Sequence, residues 1–146
     1  MLETEVFDVD AQLTEVGEVF RDSQFKVFRS VLDGGGVIKA INAKGAAALL
    51  SKEQLKKWEE WVKTEFGAKG LAYIKWSVGG EWESPIVKFF SDAEKAALTE
   101  KLGFAEGDVL FFGADMKLEP VVEVLGRVRL RCAELLGILE AKKDEL

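Results

Sequence analysis

The sequence predicts an α+β fold, a two-layer sandwich in which a small, mainly antiparallel sheet has helices packed on one face. Three observations favour this class. Runs rich in Val, Ile and Phe come in pairs around glycine-containing turns, as in hairpins. Two segments begin with capping-box residues and continue with apolar residues at helical spacing. Strands and helices do not alternate regularly, as they would in a doubly wound parallel fold.

The first predicted hairpin joins strands at Phe25–Leu32 and 36–43 through Asp33, Gly34 and Gly35. Glycine supplies the positive backbone angles of a tight turn. The glycine run also invites a phosphate-binding interpretation. It lacks the spacing of a dinucleotide fingerprint and the Lys-Ser/Thr of a phosphate loop, and it precedes a predicted strand. A hairpin turn is therefore favoured.

A helix is predicted to begin after Ser51, which forms a capping box with Gln54. Gly67 is placed to end it in a left-handed cap. The apolar stripe of this helix consists of Leu55, Trp58, Val62 and Phe66, widened by Trp61.

A second hairpin is predicted from 71–77 and 81–87, with Pro85 at a strand end or on an edge. Trp76 and Trp82 would face each other across it and stabilise the sheet as an aromatic pair. Glu81 and Glu83, on one strand face, indicate an ordinary solvated surface.

The remaining elements are a helix, a strand and a long helix. Ser91 and Glu94 form a second capping box, opening a helix that should stop at Gly103. Residues 108–114 read as a nearly continuous apolar strand, typical of a central position. A C-terminal helix should start near Pro120 and bury Val121, Leu125, Val128, Cys132 and Leu135.

The predicted organisation is one domain covering residues 1–146. Residues 1–20 form a lead-in with a short edge strand or helical turn, residues 21–137 the core, and residues 138–146 a frayed tail. No repeat or linker divides the chain.

Composition limits the possible functions. The chain has 146 residues, a net charge of −6, a single cysteine and no histidine. The lack of histidine excludes Ser-His and Cys-His nucleophiles and most transition-metal sites. The negative charge argues against a free-standing nucleic-acid binder. No apolar run is long enough to cross a bilayer, and the acidic N-terminus does not resemble a signal peptide, so we expect a cytoplasmic protein without a membrane partner.

Most conspicuous side chains have a structural explanation. The carboxylates Asp108 and Asp115 bracket the predicted central strand, and Asp115 is interpreted as a helix cap. The tryptophans could act as base-stacking platforms, but core or sheet packing is favoured, with Trp82 the most plausible exception. Cys132 is interpreted as a small buried hydrophobe.

Basic residues remain the candidates for RNA contact. Arg127 and Arg131 are four residues apart and could form a small patch, whereas Arg129 lies off that helix face. Local ion pairing with Glu123 or Glu134 is the favoured interpretation of these two arginines. The candidate nucleic-acid contacts are Lys69, Lys75, Lys88, Arg127 and Arg131. No catalytic, cofactor-binding or metal-binding residue is identified.

Several strings in the chain resemble one family. They are DSQFKVF at 22–28, GGVIKAIN at 35–42, GAKGLAYIKW at 67–76, SPIVKFF at 84–90, GDVLFFGAD at 107–115 and LGRVRL at 125–130. In this order they resemble the insertion domain of bacterial-type aspartyl-tRNA synthetases, the GAD domain. Small departures, such as Val87 and Phe90, affect only details.

The resemblance implies a small antiparallel sheet covered by helices, inserted into the class II catalytic domain of an aminoacyl-tRNA synthetase. Such a parent is an aspartate–tRNA ligase of protein biosynthesis that uses ATP and magnesium. The chain itself carries no class II motif and no anticodon-binding barrel. It would be an accessory module near the tRNA acceptor end and catalytic cleft, with the catalytic domain as partner and no cofactor of its own. The alternative is a free-standing interaction or dimerisation module of the same fold.

Overall fold

A computed structural model describes residues 13–67 and 71–145, with side chains described as far as Leu135. The part of the chain that it describes contains one five-stranded sheet. Its strands are β1 (Thr14–Glu15), β2 (Val37–Ala43), β3 (Ala72–Trp76), β4 (Trp82–Glu83) and β5 (Val109–Asp115). Their order is β1-β2-β5-β3-β4, and each neighbouring pair is antiparallel.

Four α-helices accompany the sheet in the same residues: α1 (Lys26–Asp33), α2 (Lys52–Phe66), α3 (Asp92–Leu102) and α4 (Leu118–Glu145). Short 3₁₀ helices lie at Gly17–Phe20, Ala46–Ala48 and Val87–Phe89. The α+β class and the antiparallel sheet predicted from the sequence are confirmed.

The helices lie on both faces of the sheet, rather than on one as expected. On the first face, Phe111 packs with α2 and α4. On the second, Leu110 and Phe112 pack with α1, α3 and Phe20. Alternate residues of a strand point to opposite faces, so the unbroken apolar run of β5 buries both sides of the central strand. We call these the α2–α4 face and the α1–α3 face.

The predicted strand at Phe25–Leu32 is wrong, because these residues form α1. Phe25, Phe28 and Leu32 recur at helical spacing and pack in the second core. The glycine run closes the helix instead of turning a hairpin. The amide of Gly36 donates to the carbonyl of Val31 and that of Gly35 to Leu32, while Gly35 has φ +87°. These bonds form the Schellman cap of a helix end.

Helices α2 and α3 begin and end where predicted. Ser51 and Ser91 accept hydrogen bonds from the amides of Gln54 and Glu94, and Gly67 and Gly103 end the two helices in left-handed conformations. The reciprocal capping box is complete in α3. Helix α4 starts at Leu118, so the residue before it is Lys117 rather than Asp115. The carboxylate of Asp115 accepts from the amide of Lys117 at 3.3 Å, which is an Asx turn before the helix and not the helix cap predicted from the sequence.

The second hairpin is shorter than expected. Strand β4 contains only Trp82 and Glu83, and Val87 belongs to a 3₁₀ helix, because Pro85 cannot donate to a sheet ladder. The register nevertheless pairs Trp76 with Trp82, with ring centroids 5.7 Å apart. Both rings also contact Phe104. This prediction of sheet packing is confirmed.

In the predicted lead-in, residues 1–12 lie outside the described part. The rest supplies edge strand β1 and a 3₁₀ turn, with Leu13, Val16 and Phe20 buried.

Candidate functional surface

The α2–α4 face carries an aromatic cluster with an arginine on it. The guanidinium carbon of Arg131 lies 3.7 Å from the ring centroid of Trp61 and 5.8 Å from that of Trp58. Trp58 stacks in turn on Phe111 of the central strand, with centroids 5.7 Å apart. Phe66 meets Trp61 edge-on. We call these residues, Trp58, Trp61, Phe66 and Arg131, the Trp61–Arg131 cluster.

The contact with Trp61 restrains the position of the positively charged guanidinium of Arg131. A guanidinium over an indole face is attracted by about 0.5–2 kcal/mol, depending on desolvation. Stacking restrains the planar group while its edge remains able to donate paired hydrogen bonds to a phosphate. The contact that the structure gives Arg131 is therefore aromatic, whereas the sequence favoured ion pairing with Glu123 or Glu134. Arg127 lies exposed one helical turn earlier.

The candidate lysines are divided between the two faces. Lys75 is half-buried, shares the α2–α4 face with Tyr73 and lies opposite Glu83 in β4. It lines a cavity of about 410 Å³ together with Lys52. Lys88 is exposed on the other face, 5.3 Å from the ring centroid of Phe89. Lys69 lies outside the described residues.

Sequence reasoning underestimated Asp108, whose buried carboxylate joins three segments. Oδ1 accepts from the amide of Gly45 at 3.1 Å, and Oδ2 accepts from that of Ala105 at 3.1 Å. Asn42 Nδ2 and Lys44 Nζ donate to Oδ2 at 3.2 and 3.4 Å. Since both side chains also donate to the carbonyl of Gly103, the network ties the end of α3 to strand β2. We interpret it as structural.

Among the residues described, no three histidine, cysteine or acidic side chains are grouped as a metal site. The described helices include none with the length and apolarity required to cross a membrane.

The family model described as "GAD domain" matches residues 28–125, which include β2 to β5 and the first turns of α4. The chain belongs to the GAD domain family. This confirms the resemblance identified from the ordered strings, and the match includes β5, whose residues 113–115 are Gly-Ala-Asp.

Relatives of this GAD domain chain are found within much longer proteins. It is 52% identical over 137 residues to an aspartate–tRNA(Asp/Asn) ligase of Opitutus terrae, covering 92% of this chain and 22% of the ligase. It is 46% identical to the corresponding ligase of Desulfotalea psychrophila, and the match covers 90% of this chain and 21% of that ligase. It is 40% identical to an aspartate–tRNA ligase of Halalkalibacterium halodurans, and the match covers 92% of this chain and 22% of that ligase. The chain thus spans about a fifth of the length of these relatives.

Two titratable groups of the GAD domain are perturbed by burial. Burial raises the pKa of Cys132 to about 12, which leaves the thiol protonated and poorly nucleophilic at neutral pH. This agrees with the buried hydrophobe expected from the sequence. The pKa of Tyr73 is also raised, first by burial and then by the nearby charges of Glu59 and Glu83.

Proposed function

We propose that this chain is an accessory insertion domain of an aspartate–tRNA ligase, lying near the tRNA acceptor end and catalytic cleft and performing no catalysis itself. The observation that carries the proposal is the unequal coverage of its relatives. Proteins named as aspartate–tRNA ligases match about nine-tenths of this chain, while it matches about a fifth of theirs. ATP and magnesium would be used by the rest of the parent, in the cytoplasm.

The α2–α4 face is the surface best suited to contact tRNA. Arg127 and Arg131 lie one turn apart on α4, and Trp61 holds the guanidinium of Arg131 in place. Lys75 adds a positive charge elsewhere on this face. With a net charge of −6, the isolated chain should bind tRNA weakly. The domain would therefore orient tRNA that the parent already holds.

A binding assay with the isolated chain and labelled tRNA at low salt tests this surface. We expect a Kd of roughly 10–100 µM, within the range of nonspecific electrostatic binding. Arg131→Gln should weaken binding and lower the salt slope by about one. Arg131→Lys should recover only part of the affinity, because lysine keeps the charge but not the stacked planar fork.

Arg21→Gln is the matched control, since it removes the same charge from an exposed position beside the 3₁₀ helix of the α1–α3 face. Equal losses in the Arg21 and Arg131 variants would contradict a role for the α2–α4 face. Binding as tight as that of a whole ligase would contradict the dependence on a parent.

The free-standing interaction module remains the alternative, favoured by the open part of the β3 edge, where β4 pairs with only two residues. Sequencing the source gene discriminates between the two. Ligase sequence in frame with these codons supports an insertion domain, whereas a reading frame limited to them supports an independent module.

A further inference from the structure

An apolar groove lies between α1 and the edge of β3, and Glu59 of α2 reaches its rim. Its volume is about 460 Å³, and its walls include Val27 and Val31 of α1, Ala72 and Tyr73 of β3, and Ile86. Among the described residues that line it, Glu59 is the one with a charged side chain. Such a lining suits apolar side chains and is unsuited to a nucleic-acid backbone.

Further exposed apolar side chains lie at the two ends of α1. Val27 is 56% exposed. Near one end of α1, the exposed ring of Phe89 stacks on Phe25, with centroids 5.4 Å apart. At the other end, Met116 is 50% exposed and lies against Gly34. A row of exposed apolar side chains beside a groove is typical of a contact surface.

The outer edge of β3 has no ladder pairing at Tyr73, and Pro85, which lines the same groove, has no N–H to donate to it. The amide of Trp76 donates to the carbonyl of Asp108, so the polar backbone groups of Trp76, Ile74 and Ala72 point towards β5. Hydrogen bonding alternates along an antiparallel strand. The N–H and C=O of Tyr73 therefore point to the outer edge. The pairing of β4 with β3 extends only to Lys75 and Trp76 and does not reach Tyr73.

We propose that an extended apolar segment from the remainder of the parent chain adds to the β3 edge at Tyr73 and inserts alternate side chains into the groove. This inference rests on the proposed function. The domain covers only about a fifth of the length of its relatives, so most of the proposed parent protein lies outside the domain. A tethered segment has a high effective concentration, and a short edge is then sufficient for stable docking. The parent would contact the α1–α3 side and leave the Trp61–Arg131 cluster free for tRNA.

The test compares hydrogen exchange in the isolated chain and in the protein expressed from the complete reading frame. We expect the peptide that contains Tyr73 to exchange roughly tenfold more slowly in the complete protein. Val27→Asp should abolish this protection, because it places a charge beside the groove. Val78→Asp is the matched control: Val78 is 78% exposed in a turn remote from the groove, and the protection should remain. Both variants should leave the melting temperature of the isolated chain unchanged.

Equal exchange of the Tyr73 peptide in both proteins would overturn the proposal, as would loss of protection in the Val78 variant. Exchange that slows with concentration in the isolated chain would show a second copy on the edge and would also overturn it. None of these outcomes contradicts the proposed function. The proposed function is contradicted by a different result, namely a complete reading frame that encodes no ligase.

Discussion

Replacing Asp108 by alanine should be among the most destabilising changes of a single polar side chain in this domain. The substitution removes the acceptor for the amides of Gly45 and Ala105. Gly45 and Ala105 are exposed, so water can partly replace the lost acceptor, and each lost bond costs about 0.5–1.5 kcal/mol. Asn42 and Lys44 keep their bonds to Gly103. The expected loss in the free energy of unfolding is therefore about 1–3 kcal/mol, a sizeable part of the roughly 5–15 kcal/mol of an ordinary domain.

Two further variants grade this effect. Asp108→Asn keeps one carbonyl oxygen but turns an NH₂ group towards one of the donors, so we expect a loss of about 1–2 kcal/mol. Asp115→Ala is the matched control at the other end of β5, where the carboxylate accepts one exposed hydrogen bond from Lys117. Its expected cost is below about 1 kcal/mol.

Urea unfolding followed by tryptophan fluorescence measures these differences, because Trp76 lies directly beside Asp108 in the sheet. A loss below about 0.5 kcal/mol for Asp108→Ala, the usual range for a surface substitution, would refute the proposed role of the network. Equal losses for Asp108→Ala and Asp115→Ala would refute it as well.

Two other predictions concern the helix cap and the thiol. Gly35→Ala should lower the free energy of unfolding by about 1–2 kcal/mol, measured with urea. The cost is conformational, because φ is +87° and a Cβ at this position would meet no atom within 4 Å. Gly80→Ala is the control, since Gly80 has no positive φ and its replacement should change little; equal costs for the two variants would contradict the Schellman cap. Cys132 should react with a thiol reagent at pH 8 only as fast as the chain unfolds. Because its pKa is raised from 9.0 to about 12, its contribution to stability is complete below pH 9 and is lost between pH 9 and 12. Cys132→Ala should therefore show a flatter alkaline stability profile, and a profile parallel to that of the unmodified chain would contradict the buried thiol.

The elements predicted correctly are those whose signals are local. Ser51, Gly67, Ser91 and Gly103 act through residues within one or two turns, so capping chemistry identifies them in the sequence. Helix α1 was missed because a glycine run can close either a hairpin or a helix. The helical spacing of Phe25, Phe28 and Leu32, given too little weight, was the signal that distinguishes the two.

The candidate sites were harder to predict because their partners are distant in the chain. Asp108 meets Asn42 and Gly45, and Arg131 meets Trp61, only after the sheet and helices have packed. Arg131 was identified as a candidate contact from its position on α4, but its aromatic partner was not. No local pattern marks such pairs.

Photo-crosslinking to tRNA measures whether the α2–α4 face lies against the acceptor arm. A photoreactive amino acid is placed at position 127, on the α2–α4 face, or at position 29, exposed on α1, in the protein expressed from the complete reading frame. We expect an adduct with the acceptor arm of tRNA from position 127 and little from position 29. No adduct from position 127, an equal adduct from position 29, or an adduct in the anticodon arm would contradict this expectation.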